Sequence, residues 1–330
     1  MSSAARVRAA TPAAVSVETG ATLTCRGLQK RFGERLAVDD LSFEIRPGVA
    51  YGLLGPNGAG KTTTIRMICG LTKPDAGSVV IDGHDLETDP LAAKAAIGYV
   101  PHEVALYRDL PALDQLVFFG RVRGLSKRVA RERAHEALEF VGLTDRAGER
   151  VDRMSDGMQR RLNLAVALVG RPRLLVLDEP MVGIDPHARA IILDRVSALR
   201  ADGVSILCTS HYINEIERLC DLIAIIDEGR LVAEGTVDSL LATLDVRQVV
   251  RIGANGELAA LRDDLDRLKG ITTARLRADA LEVVAEDASL ILAEILSAAS
   301  ALGISITSVD VVEPDLEQAF IHLTGHELGG

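Results

Sequence analysis

The run Gly55-Pro-Asn-Gly-Ala-Gly-Lys-Thr-Thr63 follows the apolar segment VAYGLL and opens a stretch, Gly60–Gly70, that reads as a helix. No other feature limits the possible folds so sharply, because the G-x-x-x-x-G-K-[ST] spacing works only between a strand and a helix. Its glycines let successive backbone N–H groups turn inward as an anion-binding nest, and the helix start adds partial positive charge. The spacing predicts a phosphate cradle built from Gly55, Pro56, Asn57, Gly58, Ala59, Gly60, Lys61, Thr62 and Thr63. Lys61 is expected to reach the β- and γ-phosphates and Thr62 to ligate Mg²⁺. A nucleoside triphosphate is the implied ligand, but the motif does not choose among the enzymes that use one.

A second apolar run, Leu174–Leu177, ends in Asp178-Glu179-Pro180. A carboxylate at that position lies at the C-terminal edge of a parallel sheet, where ligands of α/β proteins bind. Asp178 is expected to hold Mg²⁺, through water. Glu179 points elsewhere and is expected to act as general base toward an attacking water. A strand-end acidic pair closing a turn is the bland alternative, disfavoured by the phosphate cradle.

Around these motifs the chain alternates strand and helix. TLTCRGL, LSFEI and VAYGLL read as strands, with turns at Arg31-Phe32-Gly33 and Pro47-Gly48, followed by a short strand in SVVIDG and another at Ile97–Val100. Pro111–Val169 reads as mostly helix, with apolar residues at helical spacing, and alternation resumes from Leu174 to Ala224. A helical block is thus inserted in an α/β core whose mostly parallel sheet is covered on both faces. After Gly235 the order strand, helix, strand, strand, helix, strand, helix suggests a small split βαβ module. It bears no recognisable chemistry, which points to dimerisation or regulation.

A net charge of −10 argues against a nucleic-acid partner, although Lys127–Arg133 is a local basic patch. The four cysteines, Cys25, Cys69, Cys208 and Cys220, have neither metal-ligand nor disulfide spacing and read as small buried residues of a reducing cytosol. Leu290–Val309 is the nearest approach to a membrane span, but Glu294, four serines and Gly303 interrupt it. The first twenty residues lack an apolar core for a secretory signal and read as a disordered tail.

Six motifs in a fixed order, GPNGAGKTT, IGYVPHE, MSDGMQRR, LLVLDEP, GIDP and TSHY, make residues 22–235 resemble the ATP-binding subunit of an ATP-binding-cassette transporter. The resemblance implies a P-loop NTPase (RecA-like) core with an N-terminal antiparallel β subdomain and an inserted helical subdomain. The expected organisation is a tail at 1–20, a cassette at 21–240 with its insert at about 103–170, and a small α+β module at 245–330. In such cassettes two subunits sandwich two ATPs. Ser155 and Gly157 would contact the γ-phosphate held by the other subunit, and Asp185 would link the two sites across the homodimer. Phe32 resembles the aromatic that stacks on adenine, and His211 the switch histidine that hydrogen-bonds the γ-phosphate. His84, His135, His187, His322 and His326 match nothing in the family.

Two positions depart from the family pattern. His102 stands where glutamine is usual; an imidazole is a poor Mg²⁺ ligand, so it is expected to serve water or an interface. Asp156 replaces the first glycine of the signature turn, where its carboxylate would repel a γ-phosphate; it is expected to turn away as a helix cap, the alternative being a dimer that closes weakly. The ending VVEPDLEQAFIHLTG resembles the branch of antibiotic-resistance, polysaccharide and lipid exporters. The resemblance implies an ATPase motor at the cytoplasmic face of a membrane, peripheral to a separate integral permease that meets the helical block near His102. The alternatives are a catalytically weak regulatory cassette and a non-transport ATPase. A translation factor of this superfamily carries two cassettes, whereas this chain has one P-loop. A chromosome-maintenance ATPase carries a long coiled coil or zinc module, for which neither heptads nor paired cysteines are present.

Overall fold

The computed structural model describes residues 20–210, 212–243, 248–255, 258–265, 268, 270–277, 280–285, 288–312 and 315–325. His211 and all but the last residue of the expected tail lie outside them. The chain divides into two compact units, Met1–Val237 with Leu323–Gly330, and Asp238–His322.

The first unit opens with a hairpin of β1 (Leu23–Phe32) and β2 (Arg35–Ile45). Gly33, at φ 58°, and Glu34 form its turn, so Phe32 ends a strand opposite Arg35 instead of sitting inside a turn. β2 starts at Arg35, well before the expected LSFEI. A bulge hides its first half from pattern reading: Leu28 pairs with Leu41 but Lys30 with Val38, and Asp40 adopts φ 54° to absorb the extra residue. Next come β3 (Ala50–Leu54), α1 (Lys61–Ile68), β4 (Ala76–Ile81), β5 (His84–Asp85), α2 (Pro90–Ala95) and β6 (Ile97–Val100). Among the described residues β2-β1-β4-β5 form one antiparallel sheet.

The helical block comprises α3 (Ala112–Val122), α4 (Lys127–Phe140) and α5 (Asp156–Leu168). It is less continuous than its periodicity suggests. Gly142, at φ 67°, ends α4, and two short 3-10 turns, Thr144–Arg146 and Val151–Arg153, carry the chain to α5. Ser126 starts α4 as an N-cap, its hydroxyl accepting from the Val129 N–H.

β7 (Leu174–Asp178), α6 (Pro186–Ala198), β8 (Ser205–Thr209), α7 (Ile213–Leu219), β9 (Leu222–Asp227) and β10 (Arg230–Gly235) complete the unit. The second sheet has the order β10-β9-β3-β8-β7-β6, parallel throughout except for β10 at its edge. Every residue of β3, β7 and β8 is buried, which is why these strands read as unbroken apolar runs. Leu23, Ile45, Leu53, Ile65 and Val176 share one core, in which Phe43 stacks on Tyr51 with ring centroids 5.1 Å apart. Because β3, β8 and β7 are neighbours, the P-loop, Thr209 and Asp178 all leave the sheet at the same edge.

α8 (Val237–Leu241) starts at the division between the units. Beyond it lie β11 (Gln248–Asn255), α9 (Leu258–Leu265), β12 (Ile271–Arg277), β13 (Ala280–Ala285), α10 (Ala288–Ala301), β14 (Ser305–Val312) and α11 (Leu316–Thr324). The strand order β12-β13-β11-β14, antiparallel at every pairing, is that of a βαββαβ split motif. Val250, Ile252, Leu261, Val283 and Ile295 form its core.

Candidate nucleotide site

The P-loop begins where β3 ends. Gly58, at φ 81°, and Gly60, at φ 105°, take left-handed backbone that an L side chain disfavours. Gly55 is required for a different reason: a Cβ there would lie 2.3 Å from the Ile226 carbonyl oxygen. The Ala59 N–H donates to the Pro56 carbonyl over 3.1 Å, closing the loop, and the Thr64 N–H and hydroxyl both reach the Gly60 carbonyl to start α1. Lys61 is buried, and its Nζ donates to the carbonyls of Gly55 (2.6 Å) and Pro56 (3.0 Å). Burial pulls its pKa down, against the pull of Glu179 and Asp178 in the other direction.

A cavity of about 300 Å³ is lined by Phe32, Asn57, Lys61, Thr62, Thr63 and Glu179, among others. Residues from β1, the P-loop and the end of β7 thus converge on one space. Phe32 is 53% exposed, and its ring lies 5.6 Å from the Lys30 Nζ. Arg35 also lines the cavity and donates to the Gly58 carbonyl over 2.7 Å, a contact for which the sequence held no signal. A larger cavity of about 630 Å³ lies between α4, α5 and the segment after α6, and contains none of the candidate site residues.

Asp178 is 2% exposed, and burial raises its pKa above the usual carboxylate value. The Thr209 hydroxyl donates to its Oδ1 over 2.9 Å and opposes that shift. The same hydroxyl accepts from the Glu179 N–H over 3.1 Å, and the Thr209 carbonyl accepts from it over 3.2 Å. Those bonds anchor Glu179, which adopts φ 52°, sparsely populated backbone for a non-glycine residue, and its side chain lines the cavity. Thr209 is therefore a missed member of the site. The signal was present, since it opens the TSHY motif, but the hydroxyl's partners are set by the β7–β8 pairing.

His102 joins the same cluster. Its Nδ1 lies 3.2 Å from Glu179 Oε2, and its carbonyl accepts from Arg160 Nη1 of α5 over 3.0 Å. Ser155, Gly157 and Asp185 do not line the cavity of their own chain. Ser155 is the N-cap of α5, its hydroxyl accepting from the Met158 N–H over 3.4 Å. Asp156 is therefore not the cap that its position suggested. It stands exposed in the first turn, one residue inside the cap, where only the helix dipole favours it. Gly157 lies beside the Gly183 carbonyl, which a Cβ at that position would approach to 3.3 Å. Asp185 caps α6 through the Ala188 N–H over 2.9 Å, a bond that lowers its carboxyl pKa.

A phosphate-binding loop at the end of one central parallel strand, with an acidic pair at the end of another, defines a P-loop NTPase. The profile of the family described as "ABC transporter" matches residues 38–182. The chain is 40% identical to the linearmycin resistance ATP-binding protein of Bacillus subtilis (strain 168), over 93% of this chain and 99% of that protein. It is 38% identical to a daunorubicin resistance ATP-binding protein of Streptomyces coeruleorubidus, over 92% and 96% respectively. A Nod factor export ATP-binding protein I of Burkholderia lata is 43% identical, over 74% and 80%. Among solved structures, an ATP-binding subunit of an ABC transporter superposes with TM-score 0.63 at 31% identity, over 67% of this chain and 92% of that one. A dimeric cassette in a post-hydrolysis state bound to ADP and Pi superposes with TM-score 0.60 at 26% identity, over 65% and 98%. The chain belongs to the ABC transporter family. It is an ATP-binding subunit of that family, and an ATPase.

Proposed function

We propose that the chain is the motor of a two-component exporter, hydrolysing ATP as a homodimer at the cytoplasmic face of a membrane. The observation that carries this reading is the convergence of Lys61, Thr62 and Glu179 on one cavity, with buried Asp178 held beside Glu179 by Thr209. Relatives named for linearmycin resistance, daunorubicin resistance and Nod factor export support the direction of transport.

In this mechanism the P-loop N–H groups and Lys61 receive the phosphates, Nζ exchanging its two carbonyl partners for phosphate oxygens. Phe32, exposed at the cavity mouth, stacks on the adenine. The Thr62 hydroxyl and the Asp178 carboxylate, hard oxygen donors of the kind Mg²⁺ prefers, would hold the ion, which would supply charge neutralisation at the phosphates. Glu179 accepts the proton of the attacking water, and His211 contacts the γ-phosphate. Ser155 and Gly157 of each subunit complete the partner's site, with Asp185 between the two. Dimer closure on ATP shifts the permease between conformations, and hydrolysis reopens it.

A permease contact is supported by an aromatic cluster on the helical block: Tyr107 and Phe118 are both exposed, with ring centroids 5.5 Å apart, and Phe119 adjoins both. Among the described residues no helix is long and apolar enough to cross a membrane. The C-terminal split module is assigned to dimerisation or regulation. The test is co-purification of an integral membrane protein with this chain, followed by ATPase stimulation by candidate substrates in the reconstituted complex. An isolated subunit with no membrane partner contradicts the exporter reading.

A further inference from the structure

Two charged residues that the mechanism does not use meet between α6 and α7. Glu215, on α7, is 7% exposed. Its Oε2 accepts from the Ser210 hydroxyl over 2.6 Å, and the Ser210 Oγ in turn accepts from the Tyr212 N–H over 3.0 Å. Its Oε1 lies 3.3 Å from Arg189 Nη1. Arg189 sits in the first turn of α6, and its Nη2 donates to the Ile184 carbonyl over 3.3 Å. Its guanidinium also covers the Tyr212 ring, with Cζ 4.9 Å from the centroid. One planar cation therefore touches the residue before Asp185, the acid on α7 and the aromatic after position 211.

Glu215 is buried and Arg189 half-buried, and an ion pair so placed is a weak source of stability, because desolvation offsets most of the attraction. This pair is moreover incomplete: Arg189 Nε and Glu215 Oε1 are buried without a hydrogen-bond partner among the described residues. Burial raises the Glu215 pKa, against the opposing effects of Ser210 and Arg189. A pair built for stability alone would be bidentate and satisfied. A monodentate pair joining the first turn of α6 to α7 can tighten or loosen when either helix shifts, which is the behaviour of a linkage.

We infer that Arg189 and Glu215 are positioning residues that couple the Ile184–Asp185 turn to Ser210 and Tyr212, the described neighbours of His211. The inference rests on the proposed roles of Asp185 and His211. Through this pair, a displacement of the α6 start caused by the partner subunit resets the backbone on both sides of the switch position. Neither residue touches the nucleotide.

The test is steady-state ATP hydrolysis by the full chain, with variants Glu215→Gln, Arg189→Met, Arg189→Lys and the double Arg189→Met/Glu215→Gln. Glu215→Gln keeps an acceptor for Ser210 and loses the charge. Because small misplacements of catalytic groups are costly, each of Glu215→Gln and Arg189→Met is expected to lower kcat by about tenfold to a hundredfold. KM for ATP should move by no more than about twofold, because no binding contact is removed. The double variant should lose no more than the worse single variant, since both act through one contact. Arg189→Lys should fall in between, having charge but no planar fork. A purely structural role would lower the melting temperature and leave the kcat of the folded protein intact. Independent losses that multiply in the double variant, or wild-type kcat in the singles, overturn the coupling. If Arg189→Met fails to fold, the double variant carries no unpaired buried charge, and wild-type kcat in it is equally decisive. An inactive wild-type chain overturns the proposed function and the inference with it; an active wild type with unaffected variants overturns the inference alone.

Discussion

Replacing Thr209 by valine removes one hydroxyl and nearly preserves the side chain's shape. In the wild type that hydroxyl is fully buried and donates to Asp178 Oδ1 over 2.9 Å. The Glu179 N–H loses one acceptor but keeps the Thr209 carbonyl at 3.2 Å, so the cost falls mainly on the buried Asp178 carboxylate. A hydrogen bond to a charged group contributes about 1.5–3 kcal/mol, so a loss of about 2 kcal/mol is expected at neutral pH. The pH dependence follows from the raised Asp178 pKa, which burial causes and Thr209 opposes. A carboxyl whose folded pKa exceeds its unfolded value favours folding most below the unfolded pKa, and that advantage is lost as pH rises through the folded pKa. Thr209→Val raises the folded pKa further, so its penalty grows as Asp178 ionises. In acid it shrinks toward that of a neutral hydrogen bond, about 1 kcal/mol. Urea unfolding followed as a function of pH, from neutral into acid, traces the change. Equal stability of variant and wild type at neutral pH, or a larger loss in acid, would refute this reading of the β7–β8 edge.

Other predictions concern the two departures and the cap. His102→Gln should preserve or raise ATPase activity, because an amide can donate to Glu179 Oε2, which lies 3.2 Å from the imidazole Nδ1; a collapse of activity would show a specific need for the imidazole. Asp156→Asn, made in a Glu179→Gln background, should tighten ATP-dependent dimerisation measured by sedimentation. Charges about 6 Å apart at an effective dielectric of about 20 repel by roughly 2–3 kcal/mol, against about 0.3–1 kcal/mol of lost helix-dipole stabilisation. An unchanged or weaker dimer would mean that this carboxylate never faces the γ-phosphate. Ser155→Ala should cost about 1 kcal/mol in thermal or urea unfolding, because Ser155 and not Asp156 caps α5; the same loss in Asp156→Ala and none in Ser155→Ala would reverse that assignment.

Much of the site was legible because its elements are local. A glycine-rich turn must follow a strand and open a helix, and β7 and β8 announce themselves as apolar runs because both of their faces are covered. The first half of β2 was not legible, since the bulge at Asp40 breaks the alternation that marks a strand. The cap of α5 was misassigned because Ser155 and Asp156 are both good N-caps, and only the backbone decides which lies just outside the helix. The Thr209 bridge and the Arg189–Glu215 pair were beyond reach for a deeper reason. Periodicity reports which face of an element is buried, but not what lies opposite; Thr209 meets Asp178 only through strand pairing, and Arg189 meets Glu215 only through the packing of α6 and α7. The nucleotide-facing residues are thus readable from spacing, whereas the contacts that position them are tertiary.

The account stands most directly on Glu179 as the base of a working ATPase. The decisive measurement is Mg²⁺-dependent ATP hydrolysis and ATP binding by the purified chain, wild type beside Glu179→Gln. The account predicts steady turnover by the wild type, and a variant that binds ATP with similar affinity while turning it over at a small fraction of the wild-type rate. Wild-type turnover in Glu179→Gln, or no hydrolysis by the wild type, would contradict it.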